Sequence, residues 1–545
     1  MSRDKHFLRQ AGWVGFLTLI SRITGMLQSM MVAAFLGNGA VADAFSVAYR
    51  LPNMLRRFSA EGTMTAAFLP TVNEVESQEG EPAAADLVAR FLGTLGTVLL
   101  LVCVVGIASM GLISGLMVLG KLAPGASFAE QFASLGRMLS GAQAPPPSFT
   151  LTTLLSRLMF PYLLLVSLTA GLGAVLNLKD RFGLPASVST LWNVVFIGFA
   201  WACFRFGPSE WKALEPASLI FAVAVLVGGL AQLFALWPTF RSLGYHLNFG
   251  FHFRHPGVKR AFKRMVPGLL GGGVHPINVV ISAALASRLG PGSQMVLYNS
   301  NMMGEMVLGL FAVSVATVSL PAMSRLAEAG DQKGMKAALA SALRGTALLT
   351  IPGALGMALL ATPIVAFIFQ IGRFGAADTA WTARTVAFQT AGLLFIATSR
   401  ITAQAFYALK DYRTPAQAAV LGMVANALLS LILMRYLGTG GIALANGLAS
   451  FVGLAFLTIR LRRSMEIPFG PVLKGWGLML CGAAPMGLLA WWGSGLLGLD
   501  AFHGRRATAL GLFPLMAACG LLYFAIVRGL GLDEAKALQR KLLRK

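Results

Sequence analysis

The chain reads as an all-α polytopic membrane protein of about fourteen transmembrane helices, two six-helix bundles related by a parallel pseudo-repeat plus two extra C-terminal helices. Three observations predict this. Hydrophobic residues make up 56% of the 545 residues and charged residues 12%, where a soluble domain carries about a quarter charged residues. The apolar residues gather into stretches of roughly twenty or more, the length that crosses a hydrocarbon core. Lys and Arg concentrate in alternate connections, the cytoplasmic bias of multi-pass proteins.

Spans are expected at 11–36, 42–70, 91–119, 151–177, 184–204, 217–240, 265–287, 296–323, 340–370, 383–408, 415–435, 441–459, 475–494 and 507–527. The pair 42–70 and 296–323 carry polar residues and are the least apolar. Arg241, Arg254, Lys259, Arg260, Lys263 and Arg264 share one connection, and Arg460, Arg462, Arg463 and Lys474 another. Lys536, Arg540, Lys541, Arg544 and Lys545 form a basic tail. These clusters fall on one side if both termini are cytoplasmic, so an inner (plasma) membrane protein of that orientation is expected. The basic start runs into an apolar stretch too long for a signal h-region, with no small-residue cleavage site, so no cleavable leader is expected.

The net charge of +23 has no soluble domain to carry it toward a nucleic acid, so no nucleic-acid partner is expected. Cys103, Cys203, Cys481 and Cys519 each sit in an apolar stretch without metal-ligand spacing, and neither a metal nor a cofactor is expected. GGG at 271–273 lacks the Lys-Ser/Thr of a nucleotide loop and suits close helix approach instead. No arrangement of nucleophile, base and carboxylate suggests enzymic chemistry. The loop at 120–150, with Pro145, Pro146 and Pro147, reads as a surface linker.

An internal repeat orders the chain. The second span ends AAFLPTVNEV (66–75) and the eighth TVSLPAMSRL (317–326); the fourth connection reads LNLKDRFGLP (176–185) and the tenth FYALKDYRTP (406–415). A Leu-Pro followed by a Leu-Lys-Asp turn and a Pro recurs six helices apart, which preserves orientation. The organisation is therefore 1–240 for the first bundle, 241–264 for a basic cytoplasmic loop, 265–463 for the second bundle, and 464–545 for two additional helices and the basic tail. Parallel repeats of this kind build transporters that bind at the midplane.

Six basic residues fall within spans: Arg22, Arg50, Arg56, Arg57, Arg157 and Arg400. A charge at the bilayer centre costs at least about 2.5–3.5 kcal/mol on insertion scales, so such residues face a cavity or a partner. Arg22 lies too deep for easy snorkelling; it reads as cavity-facing, with an ion pair to Asp43 or Glu61 as the structural alternative. Asp43, Arg50, Arg57 and Glu61 are spaced 7, 7 and 4 apart and fall near one helical face. A guanidinium donates two parallel hydrogen bonds, which suits phosphate, and Arg56 and Arg57 are the candidates on this helix. Arg157 either lines a cavity mouth or snorkels, and Arg400 snorkels at a helix end. Glu305 is an intramembrane carboxylate that pairs with an Arg across the halves or carries a proton. His275 reads as a packing histidine.

SRITG (21–25), ADAFSVAYRLPNMLRRFSAEGTMTAAFLP (42–70), FPYLLL (160–165), GAVLN (173–177), FQIGRF (369–374) and FYALKDYRTP (406–415) resemble the MurJ (MviN) family of lipid II flippases in the multidrug/oligosaccharidyl-lipid/polysaccharide exporter superfamily. The resemblance implies two six-helix bundles around a cationic cavity, with the two extra helices forming a groove for a polyprenyl tail. It also implies a cargo, undecaprenyl-pyrophosphate carrying a disaccharide-pentapeptide, flipped from cytoplasm to periplasm by alternating access. Arg22, Asp43, Arg56, Arg57 and Glu61 match charged positions of the family motif. The family's Arg-Asp pair further along the first helix reads Gln28-Ser29 here, and an Arg of the eighth helix reads Met302 beside Asn301, with Glu305 retained. The expected partners are lipid II or a related polyprenyl-pyrophosphate glycan, membrane lipids and cell-wall synthesis proteins. The alternatives are another polyprenyl-linked glycan on the same fold, or a non-transporting cell-wall scaffold.

Overall fold

The structure, a computed structural model, describes residues 2–59, 63–272, 274–464, 469–499, 504–536 and 539, with side chains except those of 2–15, 56–59, 63–67, 266–272, 275, 310–314, 316–318, 464 and 469. Regular structure among the described residues is helical throughout, as it must be where backbone groups meet lipid and find no water. Among the described residues ten helices are long and apolar enough to span a bilayer, and an eleventh arises if a pair bent by 42° is one span. The other three expected spans, 42–70, 265–287 and 296–323, are helical over their described residues.

Two compact units divide the chain. The first comprises Met1–Gln294 with Ile371–Phe374, and the second Met295–Gln370 with Gly375–Lys545.

The first unit begins with α1 (Ser2–Leu36), α2 (Ala40–Ser59), α3 (Thr63–Glu79) and α4 (Glu81–Ala108), which carries a Pro in its first turn. There the pyrrolidine costs no hydrogen bond. Three short helices follow: α5 (Met110–Met117), α6 (Leu119–Leu122) and α7 (Phe128–Leu139). Then come α8 (Pro147–Met159), α9 (Tyr162–Leu178), α10 (Gly183–Phe206), α11 (Leu214–Ser242), α12 (Pro256–Gly272) and α13 (Val274–Ala286). Helix α2 lies on α8, α1 on α10, and α12 on α3. Its core includes Leu87, Phe91, Leu92, Leu172 and Phe240, with Phe68 and Phe91 stacked at 4.2 Å.

The 120–150 region is not a bare linker. Ser127 and Glu130 form a capping box at the start of α7, satisfying two orphan N–H groups. Pro147 opens α8 four residues before the expected span, as the first helical position tolerates proline.

The second unit holds α14 (Ser293–Glu328), α15 (Gln332–Leu359), α16 (Ala361–Phe369), α17 (Ala376–Thr390), α18 (Leu393–Ala408), α19 (Arg413–Leu437), α20 (Thr439–Ser464), α21 (Phe469–Leu496) and α22 (Arg505–Gly529). The 42° bend lies between α17 and α18. At that bend Gly392 meets Gly447 of α20 backbone to backbone, so a Cβ on either would strike the other's Cα. Helix α15 packs on α18 and α21, and α21 on α22.

The two repeat turns have the same build, in a register the Leu-Lys-Asp match misses by one residue. Among the described residues, Asp180 and Lys410 are the non-glycine residues with positive φ, 58° and 61°. Arg181 N donates to Leu176 O, and Asp411 N to Phe406 O. Each is a helix end closed through a left-handed residue. Asp180 therefore corresponds to Lys410, which also aligns Pro185 with Pro415 five residues on. The shared tripeptide is out of phase with the shared geometry.

Candidate functional site

The first turn of α2 carries the most buried charge among the predicted residues. Asp43 is fully buried. Its Oδ2 accepts from Lys121 Nζ at 2.7 Å and from Gly292 N at 2.8 Å. Seven residues on, Arg50 Nη2 donates to Gln294 O at 3.5 Å. The shared face of Asp43 and Arg50 thus looks at the 290–294 turn. Asp43 pairs with Lys121, not with Arg22. Lys121, in the supposed linker, is the cation it meets; no sequence spacing signalled it.

Around this pair the same end of the unit is tied together. Gly120 N donates to Ser287 Oγ at 2.8 Å, and Arg288 Nη1 to Gln131 Oε1 at 2.8 Å. The Arg288 guanidinium also lies 4.1 Å from the Phe128 ring centroid. Gln294 Nε2 donates to Met117 O and Ala283 O.

Arg22 is exposed on α1, beside exposed Leu19 and Ile23, and has no hydrogen-bond or ion-pair partner among the described residues. On either side of it α1 is fastened to α10, where Asn193 Nδ2 donates to Ser21 O and Thr24 Oγ1. Arg157 is likewise exposed on α8. Gln28 is buried on α1, at 7% exposure. The side chains of Arg56, Arg57, Glu61 and His275 lie outside the described residues.

In the second unit, Arg400 Nη2 donates to Glu305 Oε1 at 2.9 Å. Both side chains are about half exposed, 46% and 52%. The partner of Glu305 therefore comes from α18 of its own unit, and Arg400 is ion-paired instead of snorkelling freely. Asn301, one turn before Glu305, is exposed too.

A second charged cluster binds α3 to its neighbours. Glu74 accepts from Arg264 Nη2 at 3.0 Å and Arg260 Nη1 at 3.4 Å, and Arg264 also donates to Thr71. These hydrogen bonds, that of Arg264 foremost, hold the Glu74 carboxyl below its ordinary value. Lys179 bridges Glu76 and Glu81, 2.9 Å from each, and is pushed up by those bonds, that of Glu81 first. No group of three or more His, Cys, Asp or Glu placed to hold a metal ion occurs among the described residues.

Comparison with solved structures defines the class by fold. A lipid II flippase MurJ in an inward closed conformation matches with a TM-score of 0.69 at 21% identity, covering 94% of this chain and 98% of that one. An inward-facing MATE multidrug transporter of the MOP superfamily matches with a TM-score of 0.58 at 12% identity, over 82% and 94%. The class these likenesses define is one of fold, a polytopic α-helical architecture.

Sequence gives the family. The family model for lipid II flippase MurJ matches residues 32–497. The lipid II flippase MurJ of Burkholderia cenocepacia is 33% identical over 95% of each chain. A probable lipid II flippase MurJ of Vibrio cholerae is 31% identical over 98% of each. The chain belongs to the lipid II flippase MurJ family.

Proposed function

We propose that this protein flips lipid II, the undecaprenyl-pyrophosphate-linked disaccharide-pentapeptide, from the cytoplasmic to the periplasmic leaflet by alternating access. It sits in the bacterial inner membrane with both termini cytoplasmic, as the basic clusters of the 241–264 connection and the tail favour. The two halves that alternate are the repeats 1–240 and 265–463, and 464–545 holds the lipid tail.

One observation carries the head-group assignment. Arg22 is a guanidinium within an apolar helix, exposed and unneutralised among the described residues. A lone cation at that depth needs water or an anion, and a diphosphate supplies two phosphates for bidentate contacts. Arg56 and Arg57 complete the anion grip. Gln28, Ser29 and Met302 leave the chain less basic than its family motif, which keeps a different polyprenyl-linked glycan as the second reading.

The test is a flipping assay on Arg22→Ala and Arg56→Ala proteins. Both lose lipid II export while inserting normally. Undiminished export by a well-inserted double mutant refutes the assigned role. Complementation of a flippase-depleted cell separates a transporter from a scaffold.

A further inference from the structure

We infer that residues 248–263 form a membrane anchor that seats phenyl rings in the leaflet and binds the phosphates of anionic phospholipids with Arg254, Lys259 and Lys263. The side of the membrane rests on the orientation proposed above; the insertion itself does not.

The observation is an extended segment laid along α4. Asn248 N donates to Ala89 O at 3.1 Å, Gly250 N to Thr97 Oγ1 at 2.9 Å, and His252 N to Thr94 Oγ1 at 3.1 Å. Phe251 and Phe253 face away from the helix, at 61% and 43% exposure, and Phe249, also 61% exposed, lies along it with its ring against Gly96. The fit is close: a Cβ on Gly93 would strike Asn248 O.

Helix α4 explains what those rings face. Above the covered stretch it presents Leu100, Leu101, Val104 and Val105, all more than half exposed, on an apolar span running Glu81–Ala108. Below, it is buried at Phe91–Gly96, with Gly93, Thr94 and Gly96 under the extended segment. Phe249 and Phe251 thus continue the apolar surface of the span downward. A non-helical segment at such a depth would leave its N–H groups without partners; here Ala89, Thr94 and Thr97 supply them. A merely solvated loop has no need of these bonds, since water would serve.

The charges sit where the segment leaves the helix. Phe253 is edge-on to Phe262 at 5.2 Å, which fixes the turn into α12. Val258, Ala261 and Met265 are buried on one face of α12, and Lys259, Arg260, Lys263 and Arg264 are exposed on the other. Arg260 and Arg264 are occupied by Glu74. The side chains of Arg254, Lys259 and Lys263 are exposed and have no hydrogen-bond or ion-pair partner among the described residues. Aromatic rings beside free cations at a span's end are the composition of an interfacial anchor on an anionic leaflet.

Two measurements on the full chain test this. In a background with the four cysteines replaced by alanine, a nitroxide is placed at residue 251 or 259 and the protein reconstituted in bilayers of phosphatidylglycerol and phosphatidylcholine. Collision with oxygen exceeds collision with a water-soluble nickel chelate several-fold at 251, and the order reverses at 259. Nickel dominance at 251 overturns the insertion. With native cysteines, lipid retention is compared between wild type and Arg254→Gln/Lys259→Gln/Lys263→Gln by intact-protein mass spectrometry. The triple variant loses several-fold of its preference for phosphatidylglycerol while its melting temperature holds. An unchanged preference, or a preference for a polyprenyl diphosphate over phosphatidylglycerol, overturns the head-group assignment. Neither measurement depends on flipping activity.

Discussion

Lys121 Nζ lies 2.7 Å from Asp43 Oδ2, and the two side chains are 9% and 0% exposed. Seventy-eight residues separate them in the chain. Removing one partner of a buried pair strands the other, a cost of about 3–5 kcal/mol. Asp43→Ala is expected to lower thermal stability by that order in a detergent-solubilised melt. The double variant Asp43→Leu/Lys121→Met recovers much of it, because no buried charge is left unpaired.

The pair Glu305–Arg400 behaves differently. With both side chains about half exposed, it contributes only about 0–1 kcal/mol. Arg400→Ala is expected to leave the melting temperature nearly unchanged. If the pair serves transport, flipping falls in Arg400→Ala and in Glu305→Gln and returns in the charge-swapped Glu305→Arg/Arg400→Glu; a melting shift without a flipping change identifies a structural pair.

Gly447 and Gly392 meet at the α17–α18 bend without room for a Cβ. Backbone on backbone cannot be relieved by turning a side chain. Gly447→Ala is expected to cost about 1–3 kcal/mol, the range for overpacking, and Gly470→Ala, where nothing lies within 4 Å of the added carbon, far less. Paired melting curves decide it.

Glu74 gives a pH dependence with a definite sign. Its carboxyl is held below the ordinary value of 4.5, chiefly by the Arg264 hydrogen bond. A depressed folded value means the carboxylate contributes stability above the unfolded value, lost as pH falls through the folded one. The attachment of α12 to α3, followed by protease cleavage in the 241–264 connection, is expected to hold from pH 8 to about 5 and loosen below. In Glu74→Gln the cleavage is raised at neutral pH and loses that acid dependence.

The legible part of the fold was what lipid imposes. Twenty-residue apolar stretches, the repeat and the basic connections all answer to a local requirement that each segment meets by itself. Even the capping box at Ser127 and Glu130 is present in the letters, and Pro147 begins a helix instead of preventing one. The register of the repeat turns was harder. A matching tripeptide suggested one alignment, whereas backbone closure through Asp180 and Lys410 set another.

The charges divide the same way. That Arg22 sits deep in an apolar helix follows from position alone, and the helical spacing put Asp43 and Arg50 on a shared face. Which object that face meets depended on residues distant in sequence: Lys121, Gly292 and Gln294 arrive only when α6 and the 290–294 turn fold against α2. By itself, then, the sequence determined that the chain is a helical membrane protein of the flippase family and where its intramembrane charges lie. Only the tertiary structure decided which of those charges are neutralised. Hydropathy is a property of a segment, but an ion pair needs two side chains within about 4 Å, and only packing brings them there.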